Sequence, residues 1–541
     1  MTARRRNWIV ALVLAALLSV AALLIAASLV AARIEPFARQ TAIVYLSQRF
    51  QSDVQLQSLH LQLPRTSALR LFLTRGRGIT ARVEGQGLSL RLRGRPGPAP
   101  LFVIQNFHCD VSLESLLHPP VIVSRIVVDG MKIQIPPHAA SLRPPSAAAA
   151  APTAMPGLSN PEVVIRKAAI QHASMVLQPA DPQRSPLRFE IESLRLDSAA
   201  VGGPMHYDAS LTISKPPGKI LTTGTFGPWR ADEPGDTSLA GNYRFEKADL
   251  GVFSGIAGTL WSTGSFDGQL SAITAHGQAS VPDFRLRTAG NPVPLSARFT
   301  VLVDGANGNT VLQPVVATLG SSNLTTRGGI IRHEPGQRHA ISLDVAMPGG
   351  DLRDVLRLAM KGDPFLDGRL VLNTKIDIPP LAAKVREKLQ LDGSFELQNG
   401  KFFHSTIQDR IDALSNRAQG RAGEPAGGQA VSHMTGVFQM ENAAINFSKL
   451  SFGVPGADID LAGSYNLDTD ALTFAGTLKL QATVSQLVTG WKKLALKPVD
   501  RFFERKGAGT LLHIRVDGTS KAPLFSVIVA GKQVQISPPK K

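Results

Sequence analysis

The chain has 541 residues, 58 Lys and Arg against 41 Asp and Glu, and 43% hydrophobic residues, giving a formal net charge of +17. That hydrophobic content excludes a disordered polycation, and the length provides for several domains with a sizeable core. The single cysteine, Cys109, excludes an intramolecular disulfide and reads as a small buried apolar residue.

The segment from Trp8 to Ala32 carries no charge. At 1.5 Å per residue it is long enough to cross a hydrocarbon core of about 30 Å, and longer than the apolar region of a cleaved signal peptide. It predicts an N-terminal transmembrane helix. Arg4, Arg5 and Arg6 precede it, which predicts a cytoplasmic N-terminus and an external bulk. An external domain with 6% aromatic residues does not fit a nucleic-acid binder.

After the anchor (1–33), the region 34–135 opens with Phe37, Ile43, Val44, Leu46 and Phe50 at helical spacing. A strand with one slip in its alternation follows at Val54, Leu56, Leu59, Leu61 and Leu63, which predicts a bulge. Basic residues concentrate here, and Arg33, Arg39 and Arg49 are candidates for contact with anionic head groups. Val121 to Ile135 reads as two strands around an Asp129-Gly130 hairpin turn. An Ala/Pro-rich loop or linker (136–161) comes next.

The region 162–390 consists of short strands punctuated by glycine, including Gly224, Gly241, Gly258 and Gly264, with no fixed repeat period. DGANGN at Asp304 reads as a hairpin turn. Asp351 to Gly362 reads as a short capped helix, as does LAAKVREKL. In the last region, 391–541, TIQDRIDALSNRA predicts a further helix, and the stretch from Ser415 a flexible loop. Ala457 to Gln481 then alternates without interruption. Ile459, Leu461, Tyr465 and Leu467 share one parity, and Leu472, Phe474, Leu478 and Leu480 share another after the Asp468-Thr469-Asp470 turn, so a hairpin places all of them on one face. From Thr483 to Gly507 a basic amphipathic segment carries Trp491, Lys492 and Lys493, candidates for membrane contact or for a lid over the end of the sheet.

No histidine or cysteine set stands at metal-ligand spacing, and no nucleophile elbow, Walker loop or dinucleotide fingerprint is present. The sequence reading is therefore a non-enzyme without cofactor, catalytic residues or metal ligands.

An anchor followed by IEPFARQTAIVYLSQRFQSDVQLQSLHL, then SLESLLHPPVIVSRIVVDGMKIQI, resembles the start of AsmA-like proteins, which are related to the chorein-type lipid-transfer proteins. LDGSFELQNGKFFHSTIQDRIDALSNRAQG and GADIDLAGSYNLDTDALTFAGTLKL are similar to the C-terminal signature of that family. The resemblance implies a mostly β fold: an N-terminal transmembrane helix, then a long, curved, mainly antiparallel β-sheet groove with a few short helices. It further implies a single-pass inner-membrane protein with its bulk in the periplasm and phospholipid as cargo, contributing to lipid transport toward the outer membrane or to outer-membrane integrity. Ile459, Leu461, Leu472, Phe474 and Leu478 would then line the groove. The competing expectation is a closed sandwich or barrel acting as a membrane-anchored scaffold for outer-membrane or envelope assembly factors, without lipid.

Overall fold

A computed structural model describes residues 50–62, 80–93, 100–136, 163–482 and 510–535, apart from short loops within these spans, and parts of 36–48. The expected membrane span and the segment from Thr483 to Gly507 lie outside the described residues. Among those described, no helix is long and apolar enough to cross a membrane.

The protein is mostly β with a few short helices. It divides into two compact units: Met1–Glu246 with Gly264–Thr274 and Asp304–Asn307, and Lys247–Thr263 with Ala275–Val303 and Gly308–Lys541. The strands on either side of residue 390 pair with each other, Asp377 opposite Gln390.

Unit 1 contains β1 (Ser52–Gln62), β2 (Thr80–Leu92), β3 (Phe102–Ser112), β4 (Val121–Ile135), β5 (Val163–Ile165), β6 (Lys167–Leu177), β7 (Leu187–Ser198), β8 (Met205–Ser214), β9 (Pro217–Phe226) and most of β10 (Ser238–Asp249). Neighbours pair antiparallel, except that β5 and β6 both run parallel to β4. One face is apolar and carries the main core, from Leu56 and Leu90 to Ile170 and Ile191. Helical residues 42–48 press Ile43 and Leu46 onto that core, and Phe50, Phe102 and Trp229 meet there with ring centroids 5.4 to 5.8 Å apart.

At one level, six consecutive strands of the ladder each send two successive residues outward. The pairs are Gln57-Ser58, Gln86-Gly87, Gln105-Asn106, Asp129-Gly130, Gln171-His172 and Glu192-Ser193, and one register row joins Ser58, Gln86, Asn106, Asp129, Gln171 and Ser193. The extra outward residue keeps apolar side chains on the same face on both sides of the row, Leu56 with Leu59 and Ile104 with Phe107. This is the slip that the alternation of β1 predicts.

The same row overturns the hairpin expected at Asp129-Gly130. Val121–Ile135 is a single strand, paired with β3 on both sides of that dipeptide. A two-residue type I′ turn needs positive φ at both positions, whereas here Gly130 alone supplies it, at 71°, beneath the Gln105 side chain.

Unit 2 contains β11 (Ile256–Ala257), which pairs with β14 (Arg285–Leu286), and a long antiparallel ladder. β12 (Thr259–Gln269) and β13 (Ala272–Val281) contribute residues to both units. The ladder runs through β15 (Leu295–Asp304), β16 (Thr310–Leu319), β17 (Ser322–Ile331), β18 (Ala340–Asp351), β19 (Leu366–Ile378), β20 (Gln390–Phe402) and β21 (Ser432–Glu441). It continues through β22 (Ala444–Val454), β23 (Ala457–Asn466), β24 (Ala471–Leu480), β25 (Thr510–Thr519), β26 (Pro523–Val529) and β27 (Lys532–Gln535).

The expected short helices are present at Leu352–Ala359, Val385–Lys388 and Ser405–Ala418. Asp351 caps the first by accepting from the Arg353 amide, and Asp354 ties it to the β16–β17 turn by accepting from Ser321 and Ser322. The third helix ends at Ala418, so Ser415 to Ala418 form its last turn rather than the start of a loop. Leu295–Asp304 and Thr310–Leu319 form the hairpin expected around DGANGN.

Candidate functional site

The Ala457–Gln481 stretch folds as its alternation predicts. β23 and β24 pair with Ile459 opposite Leu478, Tyr465 opposite Leu472, and Gly463 opposite Phe474, which puts the five candidate lining residues on one face. Asp460, opposite Thr477, and Asp458, opposite Lys479, take the other.

Register carries this segregation across the whole ladder. On one side the apolar face continues from Phe474 to Val516 and Phe525. On the other it passes from Ile459 to Phe452 and Met434 and reaches Leu397 and Leu370, then Met347 through Leu372. Bulges such as the one between Phe447 and Leu450 serve as in unit 1: Ser448 and Lys449 both turn outward, and the apolar series resumes on the same face. The opposite face is polar and laced with ion pairs: Arg327 with Asp344 at 3.2 Å, Lys375 with Asp377 at 3.0 Å and Arg515 with Asp517 at 2.8 Å.

Cover on the apolar face is uneven. The Ser405–Ala418 helix sets Ile411 and Leu414 over a small cluster of Val454, Ala457 and Leu480, with Phe452, Leu478 and Leu512 packed against it. This helix is fixed by buried Asp412, which accepts from Gln408 Nε2 at 3.0 Å and from the Ala430 amide at 3.1 Å. Leu478 therefore packs against the helix-covered cluster. Ile459, Leu461 and Leu472 are half-buried, and Phe474 is buried at 8% exposure. At the end of the ladder Phe525 is 49% exposed. The only buried apolar cluster found among the described residues of unit 2 is the small one under this helix.

An aromatic row crosses the face. Phe395, Phe438, Phe447 and Phe474 follow one another with centroids 6.3, 6.4 and 5.9 Å apart. Glycines make room for it: a Cβ on Gly436 would stand 2.3 Å from the Phe395 ring, and Gly463 lies between Phe447 and Phe474. The strands with recurrent glycines signal this arrangement in sequence, but the partner of each ring is set by register.

Of the candidate membrane-contact residues, Arg39 is exposed and donates to the Leu56 carbonyl at 2.7 Å. Arg33, Arg49, Trp491, Lys492 and Lys493 lie outside the described residues. Cys109 is buried, and burial pushes its thiol up to about 12, with the neighbouring Asp110 charge adding to the shift. It is a core residue of unit 1. No group of three or more potential ligands for a metal ion occurs among the described residues.

Comparison of the chain with families of known proteins, with curated proteins and with solved structures finds no match.

Proposed function

We propose that the chain is a membrane-anchored, AsmA-like protein that binds phospholipid acyl chains along a curved β-groove and serves lipid transport to, or integrity of, the outer membrane. The observation that carries this reading is the apolar face of unit 2. It runs register by register from β16 to β26; Met347, Leu370, Leu397, Phe474 and Val516 on it are buried, whereas Phe438, Phe447, Ile459, Leu461 and Leu472 stay half-buried. A partner sheet in a sandwich would bury such side chains as core, and contiguous apolar surface of this extent calls for another cover. Acyl chains supply one, each buried methylene contributing about 0.8 kcal/mol. Strands stand about 4.8 Å apart, so an apolar path across the ladder lets a chain slide from strand to strand without a covalent step. In this reading the anchor lies in the inner membrane with the bulk in the periplasm, and neither a cofactor nor a catalytic group takes part.

A second reading, a scaffold for envelope assembly factors, draws support from the end of the ladder, where Phe525 on the apolar face is 49% exposed and Leu524 and Ile528 on the opposite face are 48% and 38% exposed. There a protein partner would provide the cover. Native mass spectrometry of the full chain extracted in mild detergent separates the two. Phospholipid-mass adducts are expected on the groove reading. A lipid-free chain that stays lipid-free after incubation with phospholipid vesicles would overturn it in favour of the scaffold.

A further inference from the structure

A cavity of about 640 Å³ opens in unit 2 where β10 ends and β12 begins, lined among others by Asp249, Val252, Asp283, Arg285 and Arg287. Its walls are fixed by their own bonds. Asp249 Oδ1 accepts from the Gly251 amide at 2.7 Å, Asp283 Oδ1 accepts from the Thr259 amide at 2.7 Å, and the Arg287 guanidinium donates to the Gly251 carbonyl. A backbone bond from Leu250 to the Gly258 carbonyl closes the loop.

These bonds explain why Asp249, Asp283 and Arg287 are present. They leave Arg285 unexplained. Its Nη1 stands 3.7 Å from Asp283 Oδ2, an ion pair too long for a hydrogen bond, so among the described residues none of its five donors is taken by a hydrogen bond. Asp249 lines the same cavity, and its second carboxylate oxygen has no hydrogen-bond partner among the described residues. Two guanidiniums against two carboxylates leave the cavity formally neutral, although the chain as a whole carries +17. A site of one sign selects a simple ion, whereas a neutral site with an open cation and an open anion selects a ligand carrying both. Val252 and its neighbour Phe253, 44% and 40% exposed, add apolar surface beside the charges.

We propose that this cavity binds a zwitterionic phosphate ester, its phosphate on Arg285 and its ammonium on Asp249, and that its source is the head group of an aminophospholipid. The choice of source rests on the lipid-binding reading; the head-group chemistry does not.

The test uses the full chain in detergent with two soluble probes, glycerophosphoethanolamine and glycerophosphoglycerol, titrated by calorimetry. Lipid uptake is then followed by mass spectrometry after exposure to vesicles holding equal amounts of phosphatidylethanolamine and phosphatidylglycerol. The parent is expected to prefer the ethanolamine ester in both assays. Arg285→Gln, at a half-exposed position, should weaken both esters by about tenfold or more, the loss expected of a charge-assisted contact. Asp249→Asn keeps the oxygen that caps Gly251 and should invert the preference toward the glycerol ester. Unchanged binding in Arg285→Gln, or a parent that takes up lipid without binding the soluble ethanolamine ester, overturns the site and leaves the groove standing. Soluble ester binding with the expected variant effects but no lipid uptake supports the site, assigns a soluble source and removes the groove.

Discussion

Phe447 and Phe474 belong to strands that do not pair with each other, yet their ring centroids lie 5.9 Å apart because Gly463, on the strand between them, is opposite both. A Cβ at that position would stand 2.1 Å from the Thr473 carbonyl oxygen and 2.8 Å from the Phe474 ring. Gly463→Ala should therefore part β23 from β24 locally and destabilise unit 2 by about 1 to 3 kcal/mol. Urea unfolding followed by circular dichroism measures the loss, and a change below about 0.5 kcal/mol would show that the rings do not depend on the close approach.

Substitution along the apolar face distinguishes core from open surface. Phe474 is 8% exposed, so Phe474→Asp buries a carboxylate without a partner and should cost several kcal/mol. Phe525 is 49% exposed on the same face, and Phe525→Asp should leave unfolding within about 0.5 kcal/mol of the parent. If the face holds acyl chains, Phe525→Asp also lowers phospholipid recovery. Thermal melts beside quantified co-purified lipid test both arms, and equal destabilisation by the two variants would mean that the face is closed throughout.

The register row in unit 1 makes a backbone prediction. Gly130 holds φ at 71° within a continuous strand, a conformation that strains a β-branched residue. Gly130→Val should destabilise the protein by about 1 to 3 kcal/mol. Asp129→Asn, which removes only the exposed charge facing His172, should be nearly neutral. Chemical unfolding of the two variants is the check; a neutral Gly130→Val would refute the role given to this glycine.

Acid sensitivity follows from the Leu352–Ala359 helix cap. The hydrogen bond from Arg353 holds the Asp351 carboxyl below its ordinary 3.8, against the opposing effect of burial. A depressed folded value contributes stability that is present above the unfolded value and lost as pH falls through the folded one. Arg353→Gln should thus be less stable than the parent at neutral pH, with the difference shrinking to nothing in strong acid. Denaturant melts from pH 7 to pH 2 follow this, and a difference that persists undiminished at pH 2 would reject the linkage.

Cys109 offers a probe of unit 1. Its thiol is raised by burial to about 12, so at pH 8 it is protonated as well as enclosed. A maleimide should label the native chain far more slowly than the chain in denaturant. Rapid native labelling, counted by intact mass, would contradict its place in the core.

The sequence by itself determined the strand-rich character, the three short helices with the Asp351 cap, and the Ala457–Gln481 hairpin with its apolar face. Side-chain alternation and capping are local, and a period of two fixes which residues share a face once a strand is assumed. It also showed the slip between Leu56 and Leu59. Alternation cannot tell an outward doublet within one strand from a turn between two, and so Asp129-Gly130 reads as a hairpin until its neighbours are known. Only the tertiary structure decided that this dipeptide joins a row through six strands, that Gly463 brings Phe447 onto Phe474, and that Leu478 packs under a helix while Leu461 stays half-buried. Each of these depends on which strand lies beside which, and in what register. The same holds for Asp249 and Arg285, 36 residues apart in the chain, which line one cavity because the end of β10 and the start of β14 meet there.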